Sequence, residues 1–367
     1  MTYKEILKQY WGYDDFRGIQ KEIIESIGNG HDTLGLMPTG GGKSITFQVP
    51  ALAQPGLCLV ITPLIALMKD QVRNLRDRGI KALAVYSGMT REEIIVALEN
   101  CIFGDYKFLY ISPERLDTEI FRSKLRNMKV SMITVDESHC ISQWGNDFRR
   151  DYRLIADIRD AIPHVQVIAV TASATAAVVA DICEQLHFRK GYRIFKTSFE
   201  RKNLSFVVRK TDNKLKEICH ILSAVPGSAV IYSRTRKGVE EYAGKLRAAG
   251  ISAEYFHAGL DPVLKTERQA DWVKGFTRVL VATNAFGMGI DKGDVRVVIH
   301  TEFPDSMEAY YQEAGRAGRD GKRAYAVALL GPQDITDIKR RPSNAFPTIE
   351  YIKRVYEALC NRFQIAE

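Results

Sequence analysis

Short apolar runs alternate with amphipathic stretches along the whole chain. The runs Leu57–Thr62 (LCLVIT), Lys107–Ser112 (KFLYIS), Met132–Val135 (MITV) and Val167–Thr171 (VIAVT) are apolar at consecutive positions rather than in alternation. That pattern predicts strands buried on both faces of a parallel sheet. Between them, Leu64–Arg78 and Arg91–Asn100 have helical spacing. A βαβα order implies helices on both faces of such a sheet. A second set follows after about residue 200: Ser228–Tyr232, Ala253–Phe256, Arg278–Thr283, Val295–His300 and Ala324–Leu330 read as strands, with a helix over Gly238–Ala249. The prediction is α/β throughout, in two successive units over residues 1–197 and 198–333, joined near the polar, basic stretch Phe195–Leu204. Residues 334–367 read as a helical tail punctuated by Pro342 and Pro347.

Composition narrows the class. At 367 residues, 46% hydrophobic and 26% charged, the chain can bury two cores, and neither a disordered chain nor a disulfide scaffold fits. The net charge of +8 suits a polyanionic partner without establishing one. No two of the six cysteines form C-x-x-C, so neither a zinc ribbon nor a thioredoxin-type site is signalled. Most sit in apolar surroundings and read as buried free thiols, which favours a reducing compartment. The N-terminal MTYKEILKQYWGY has no apolar core of a signal peptide, and no run reaches the length of a membrane span. The expected location is the cytoplasm, with the nucleoid, for a bacterial protein, and the nucleus for a eukaryotic one.

Met37–Ser44 reads MPTGGGKS, after a short strand over Thr33–Met37 and before a helix-like stretch. The glycines let backbone N–H groups close around phosphate oxygens, Lys43 puts a cation on the β/γ-phosphates, and the Ser44 hydroxyl can ligate Mg²⁺. The full pattern G-x-x-x-x-G-K-[ST] has Gly where this chain has Met37. A glycine-rich loop that merely opens a helix is the plain alternative, and the strand-to-helix context argues against it. Downstream, MITVDESH ends a buried strand in Asp136 and Glu137. A carboxylate at the C-terminal end of a parallel strand faces the ligand crevice. Asp136 can hold Mg²⁺ through water, and Glu137 can orient or deprotonate the water attacking the γ-phosphate. Alone, the pair would read as a solvated acidic turn; with MPTGGGKS upstream the hydrolytic reading is better. His139 either couples this site to a neighbour or is a satisfied structural histidine. In Tyr310–Gly321 (YYQEAGRAGRDG), Arg316 and Arg319 are spaced to share one face of a helical turn. They could stabilise transition-state charge on a nucleotide held by the first unit, in the cleft between domains; a basic surface turn is the alternative.

MPTGGGKS, VDESHCISQWG, TASAT, VLVATNAFGMGIDKGDVRVVIH and YYQEAGRAGRDG, in this order, resemble the superfamily 2 helicases, most closely the RecQ DNA helicases, over about residues 5–335. The resemblance implies two tandem RecA-like parallel-sheet domains with an interdomain nucleotide cleft. It implies that Tyr13 in WGYDDFRGIQ stacks on adenine while Arg17 and Gln20 bond its edge; the plain alternative for Tyr13 is a core aromatic, and the two roles can coexist. Thr39, Gly40, Gly41, Gly42, Lys43 and Ser44 would hold the phosphates, and Asp291 would border the cleft. TPLIALMKDQV (Thr62–Val72) and SPERL (Ser112–Leu116) look like strand-contacting motifs. SQWGNDFR (Ser142–Arg149) looks like the aromatic-rich loop that couples DNA binding to hydrolysis. There Trp144 and Phe148 could stack on bases at about 1–3 kcal/mol each, or pack in a core, with Arg149 beside them. Asn146 and Arg150 stand where His and Pro are common in the family, and Ser138 where Ala is. Arg236 (in YSRTR), His257 (in YFHAGL) and Thr283 would contact the nucleic-acid backbone.

The four-cysteine zinc subdomain and winged helix usual in the family have no counterpart after Arg341, so no zinc is expected in this chain. Either a cut-down motor or a shortened natural member is implied, with weakened duplex grip and salt-sensitive binding. The expectation is a monomeric, Mg²⁺- and ATP-dependent 3′–5′ DNA helicase motor of recombination and repair. It would act on single-stranded and tailed duplex DNA by a two-domain inchworm, with no membrane involved. The rivals are an RNA helicase on the same motor, disfavoured by WGYDDFR and the Trp144 loop, and a non-catalytic nucleic-acid clamp, disfavoured by intact Lys43, Glu137 and Arg319. A P-loop kinase explains nothing after residue 200.

Overall fold

A computed structural model describes the chain except for Thr39, 143–148, Ser173, Phe199, 287–291, 346–347 and 365–367. In chain order the first part runs α1 (Tyr3–Trp11), α2 (Gln20–Gly28), β1 (Thr33–Leu36), α3 (Lys43–Ala53), β2 (Leu57–Ile61), α4 (Ile65–Arg76), β3 (Ala82–Val85), α5 (Arg91–Phe103), β4 (Phe108–Ile111), α6 (Glu119–Leu125), β5 (Val130–Val135), α7 (Leu154–Ala161), β6 (Gln166–Thr171), α8 (Ala176–Gln185) and β7 (Arg193–Lys196). Its seven strands form a parallel sheet in the order β3-β4-β2-β5-β6-β1-β7.

The unbroken apolar run of β2 is explained by this sheet. Leu57, Leu59 and Ile61 point into one core layer with Ile94 of α5, Phe121 of α6 and Val178 of α8. Cys58 and Val60 point into the other, with Ile23 of α2, Phe47 of α3 and Met68 of α4. Each such side chain contributes about 1.5–3 kcal/mol by leaving water. Helices start where local chemistry satisfies their free N–H groups: Thr2 with Glu5 and Thr90 with Glu93 form reciprocal capping boxes at α1 and α5.

The chain continues with β8 (Leu204–Lys210), α9 (Lys214–Ala224), β9 (Ser228–Tyr232), α10 (Arg236–Ala248), β10 (Ala253–Phe256), α11 (Pro262–Lys274), β11 (Val279–Ala282), β12 (Val295–His300), α12 (Met307–Ala314), β13 (Ala324–Leu330), α13 (Asp334–Ala345) and α14 (Ile349–Gln364). Six of these strands form a second parallel sheet, β10-β11-β9-β12-β13-β8. Its core joins Ile231, Val281 and Ile299 of the sheet to Ile218 of α9 and Val239 of α10.

Two compact units result. They part between Lys202 and Asn203, within the polar join, but Tyr311–Arg319 groups with the first unit. The physical reason is Arg201, whose guanidinium donates to the carbonyls of Gly315, Ala317 and Gly318 at 3.3, 3.0 and 2.9 Å. Strands β3, β7 and β8 lie at sheet edges. Among the described residues no helix is long and apolar enough to cross a membrane.

Candidate nucleotide-binding and hydrolytic site

The loop after β1 is shaped by its glycines. Gly40 and Gly42 adopt φ of +81° and +74°, a region that costs a side-chain-bearing residue energy. Gly41 N–H donates to Pro38 O at 2.9 Å, and a Cβ on Gly41 would lie 2.9 Å from that same oxygen. A Cβ on Gly42 would collide with Nε2 of Gln20. Gly42 also caps α3 without any side-chain hydrogen bond, leaving first-turn N–H groups for an anion. Met37, where the full pattern has Gly, is 3% exposed and packs in the core beside Phe47. Thr39 lies outside the described residues.

Gln20 does not present an open hydrogen-bonding edge. It is buried, donates from Nε2 to the carbonyls of Gly41 and Gly42 at 3.1 and 3.2 Å, and accepts from the Arg17 N–H at 2.8 Å. Its Nε2 end braces the loop, and its Oε1 end holds the Arg17 backbone. Tyr13 is 44% exposed with the Arg17 guanidinium 5.1 Å from its ring centroid, a flat surface face rather than a core aromatic.

Lys43 begins α3 and its Nζ lies 3.5 Å from Glu137 Oε1, both side chains nearly buried. Asp136 follows β5, and its N–H donates to Ile61 O at 2.9 Å. Its Oδ1 accepts the Glu137 N–H at 2.9 Å, and Tyr152 donates its hydroxyl to the Asp136 carbonyl at 3.0 Å. Burial, then the Glu137 charge, pushes the Asp136 carboxyl from 3.8 up to about 6, with Lys43 pulling the other way. Glu137 has φ of +47°, a left-handed backbone costing roughly 1–2 kcal/mol for a residue with a Cβ; such strain concentrates at functional positions. His139 Nδ1 is 2.8 Å from Thr171 Oγ1 and 3.5 Å from Glu137 Oε2. His139 thus lies between Glu137 and the end of β6. Ser44 lies in the first turn of α3, beside Lys43. Among the described residues no group of three or more His, Cys, Asp or Glu gathers to hold a metal.

Arg316 and Arg319 do not share a helix face, because α12 ends at Ala314 and both lie in the turns that follow, where Gly318 has φ of +65°. Arg316 is 5% exposed, its Nε buried without a hydrogen-bond partner among the described residues. The Arg319 stem lies against the glycine loop of the same unit: a Cβ on Gly40 would be 3.1 Å from Arg319 Cγ. Asp291, Trp144 and Phe148 lie outside the described residues. Arg149 is exposed, its N–H bonded to Cys140 O and its guanidinium 3.4 Å from Pro63 O.

In the second unit, β10, β11 and β9 are neighbours, so Arg236, His257 and Thr283 follow strand ends along one edge of the sheet. Ligands bind at such edges. Arg236 is exposed and so close to Gly259 that a Cβ there would lie 2.7 Å from its Nη1. His257 is 5% exposed, bonded through Nε2 to Glu240 at 2.9 Å, and stacked on Tyr255. Thr283 is 7% exposed, and its backbone N–H donates to Phe256 O.

Sequence reasoning missed Gln71, Tyr152, Thr171 and Arg201. Gln71 had a signal, a polar residue within the apolar stripe Met68, Val72 and Leu75 of α4. Thr171 opens the TASAT stretch, which is a signal, whereas Tyr152 and Arg201 had none, since their partners are distant in sequence.

Residues 17–182 match the DEAD/DEAH box helicase family and residues 213–321 the helicase conserved C-terminal domain. The chain is 42% identical over 335 residues to the ATP-dependent DNA helicase RecQ of Bacillus subtilis (strain 168), covering 90% of this chain and 56% of that protein. It is 38% identical over 336 residues to the probable ATP-dependent DNA helicase RecS of the same organism, covering 90% and 67%. It thus spans about half the length of the RecQ relatives it matches. Among solved structures, Mycobacterium smegmatis helicase Lhr bound to ssDNA and AMP-PNP is similar with a TM-score of 0.73 at 20% identity, covering 90% of this chain and 48% of that one. That likeness concerns the fold, two parallel α/β domains of the RecA-like helicase type. With a matching catalytic half, a matching C-terminal half and relatives of this identity, the chain belongs to the RecQ family of ATP-dependent DNA helicases.

Proposed function

We propose that the chain is the motor of an ATP-dependent DNA helicase that moves 3′ to 5′ on single-stranded DNA and opens tailed duplexes, as a monomer, in recombination and repair. The observation that carries this reading is the meeting of Lys43 with Glu137 at 3.5 Å, beside Asp136 and the glycine loop. In this reading Thr39, Gly40, Gly41 and Gly42 cradle the triphosphate with backbone N–H groups, and Lys43 neutralises its β/γ end. Tyr13 stacks on the base with Arg17 alongside. Glu137 takes the proton of the attacking water, and His139 holds the Glu137 carboxylate in place. Arg316 and Arg319 stabilise charge on the transferred phosphoryl, an effect that reaches roughly 10³–10⁵ in rate. Asp291 lines the nucleotide site.

The donors fit Mg²⁺. Ser44 and Asp136 offer the hard oxygen atoms this ion takes. A carboxylate destabilised by burial and by a second carboxylate gains most from a neighbouring cation. When bound, Mg²⁺ would neutralise charge on the phosphate oxygens. Trp144, Phe148, Arg149, Arg236 and Thr283 contact the DNA strand, each unit changing its hold in turn. The work would lie in the bacterial cytoplasm at the nucleoid, or in the nucleus of a eukaryote.

The test compares ATP turnover with no nucleic acid, with a deoxythymidine oligonucleotide and with a uridine oligonucleotide, beside strand displacement from 3′- and 5′-tailed duplexes. DNA stimulation and opening of the 3′-tailed duplex are expected. Stimulation by RNA alone would favour the RNA-helicase rival, and full turnover by Glu137→Gln would remove the assigned base.

A further inference from the structure

A line of buried polar side chains crosses the first unit outside the roles just given. Gln48 of α3 donates from Nε2 to the Tyr110 hydroxyl at 3.1 Å, Tyr110 of β4 donates to Gln71 Oε1 at 2.8 Å, and Gln71 Nε2 lies 3.5 Å from Asp136 Oδ2. All four residues are at most 8% exposed. Polar groups at this depth cost free energy unless bonded. Gln71 also interrupts the apolar stripe Met68, Val72 and Leu75 by which α4 packs on the sheet.

Proton counting fixes the direction of the line. The Asp136 carboxylate only accepts, so Gln71 turns its NH₂ to it, Gln71 Oε1 takes the single Tyr110 proton, and Tyr110 accepts from Gln48 Nε2. The Gln71 amide is thereby locked with its NH₂ toward Asp136. Asp136 is thus held at three points by groups distant in sequence: its N–H by Ile61, its carbonyl by Tyr152 and its carboxylate by Gln71.

We infer that Gln71 is a positioning residue for Asp136, fixing the orientation of that carboxylate and tying it to helix α4. Residues 65–72 of α4, Gln71 among them, lie in Thr62–Val72, the stretch that resembles a strand-contacting motif, so a strand bearing on α4 acts on the metal-side carboxylate through one amide. Only this last link rests on the helicase reading; the hold on Asp136 is independent of it.

The test uses the full chain as wild type, Gln71→Met (similar length, no polar end), Tyr110→Phe (the amide remains but is unlocked) and the double variant. Binding of a fluorescent mant-labelled ATP is titrated with Mg²⁺ and with EDTA, and ATP turnover is measured with and without a deoxythymidine oligonucleotide. For Gln71→Met, Mg²⁺ should tighten nucleotide binding about three- to tenfold less than in wild type, with affinity in EDTA unchanged. Tyr110→Phe should shift the same way by less, and the double variant should be no worse than Gln71→Met. Stimulation of turnover by the oligonucleotide should fall by a similar factor, while the oligonucleotide affinity stays. Equal losses in Mg²⁺ and EDTA would reduce Gln71 to packing and overturn the inference. So would a wild-type Mg²⁺ effect in Tyr110→Phe, which decides the matter alone if Gln71→Met does not fold. A wild-type protein whose nucleotide binding ignores Mg²⁺ overturns it too. If Mg²⁺ tightens binding but no oligonucleotide stimulates turnover, the helicase reading fails while the Mg²⁺ and EDTA comparison still judges Gln71.

Discussion

Lys43 Nζ stands 3.5 Å from Glu137 Oε1, so the cation that opens α3 rests on the carboxylate that follows β5. Each neutralises the other at little exposure to water, and a triphosphate would compete with Glu137 for the ammonium. Glu137→Gln leaves the shape and removes the base. Turnover should fall by about 10²–10⁴-fold with nucleotide affinity kept or improved, read by steady-state ATPase kinetics beside equilibrium binding. Lys43→Ala should instead weaken nucleotide binding itself.

Asp136 sets catalysis against stability. Its folded carboxyl titrates near 6, above the 3.8 of an unfolded chain. The folded state therefore holds the proton more tightly. The stabilisation this gives is complete below the unfolded value and is lost as pH rises through about 6. Above that pH the buried charge destabilises the fold. Asp136→Asn should melt higher than wild type at pH 8, with the gap closing toward pH 4, and should lose turnover. Melting curves across that range check the sign.

Gly42 is constrained twice, by φ of +74° and by the Gln20 amide against its Cα. Gly42→Ala should cost about 1–3 kcal/mol in stability and most nucleotide affinity. Adding Gln20→Ala clears the collision but not the backbone strain, so the double variant should recover only part of the loss. Denaturant unfolding and nucleotide titration together separate the two contributions.

Arg201 carries no motif, yet it holds the turns bearing Arg316 and Arg319 through three carbonyls. Arg201→Ala should lower turnover as far as Arg319→Ala does, with ATP and oligonucleotide affinities near wild type. A proteolytic site newly open between residues 311 and 319 would accompany it. Unchanged kinetics would show the tether to be dispensable.

What could be read in the sequence follows burial. LCLVIT, MITV and VIAVT are strands packed on both faces, and their unbroken apolar character is visible without coordinates. Strands β7 (RIFK) and β8 (LSFVVRK) lie at sheet edges and carry charged residues, so no unbroken apolar run marks them. Asp136, Glu137 and the glycine loop were legible because their chemistry is written in adjacent residues. The turn around Gly318 was not, and helical spacing misplaced Arg316 and Arg319. The internal partners of Gln20 and His257, the glycine-loop carbonyls and Glu240, were not legible, because they lie far away in sequence.

Met37 gives the glycine loop an unusual footing. A loop that begins on glycine can flex as a free surface segment, but this one begins on a buried thioether that belongs to the same core cluster as Phe47. Lifting the loop's first residue therefore means extracting an apolar side chain from the interior. Slow amide exchange in the loop should rise and fall with that of β1 and α3, and warming should release bound nucleotide as that part of the interior loosens, ahead of any change at the molecular surface.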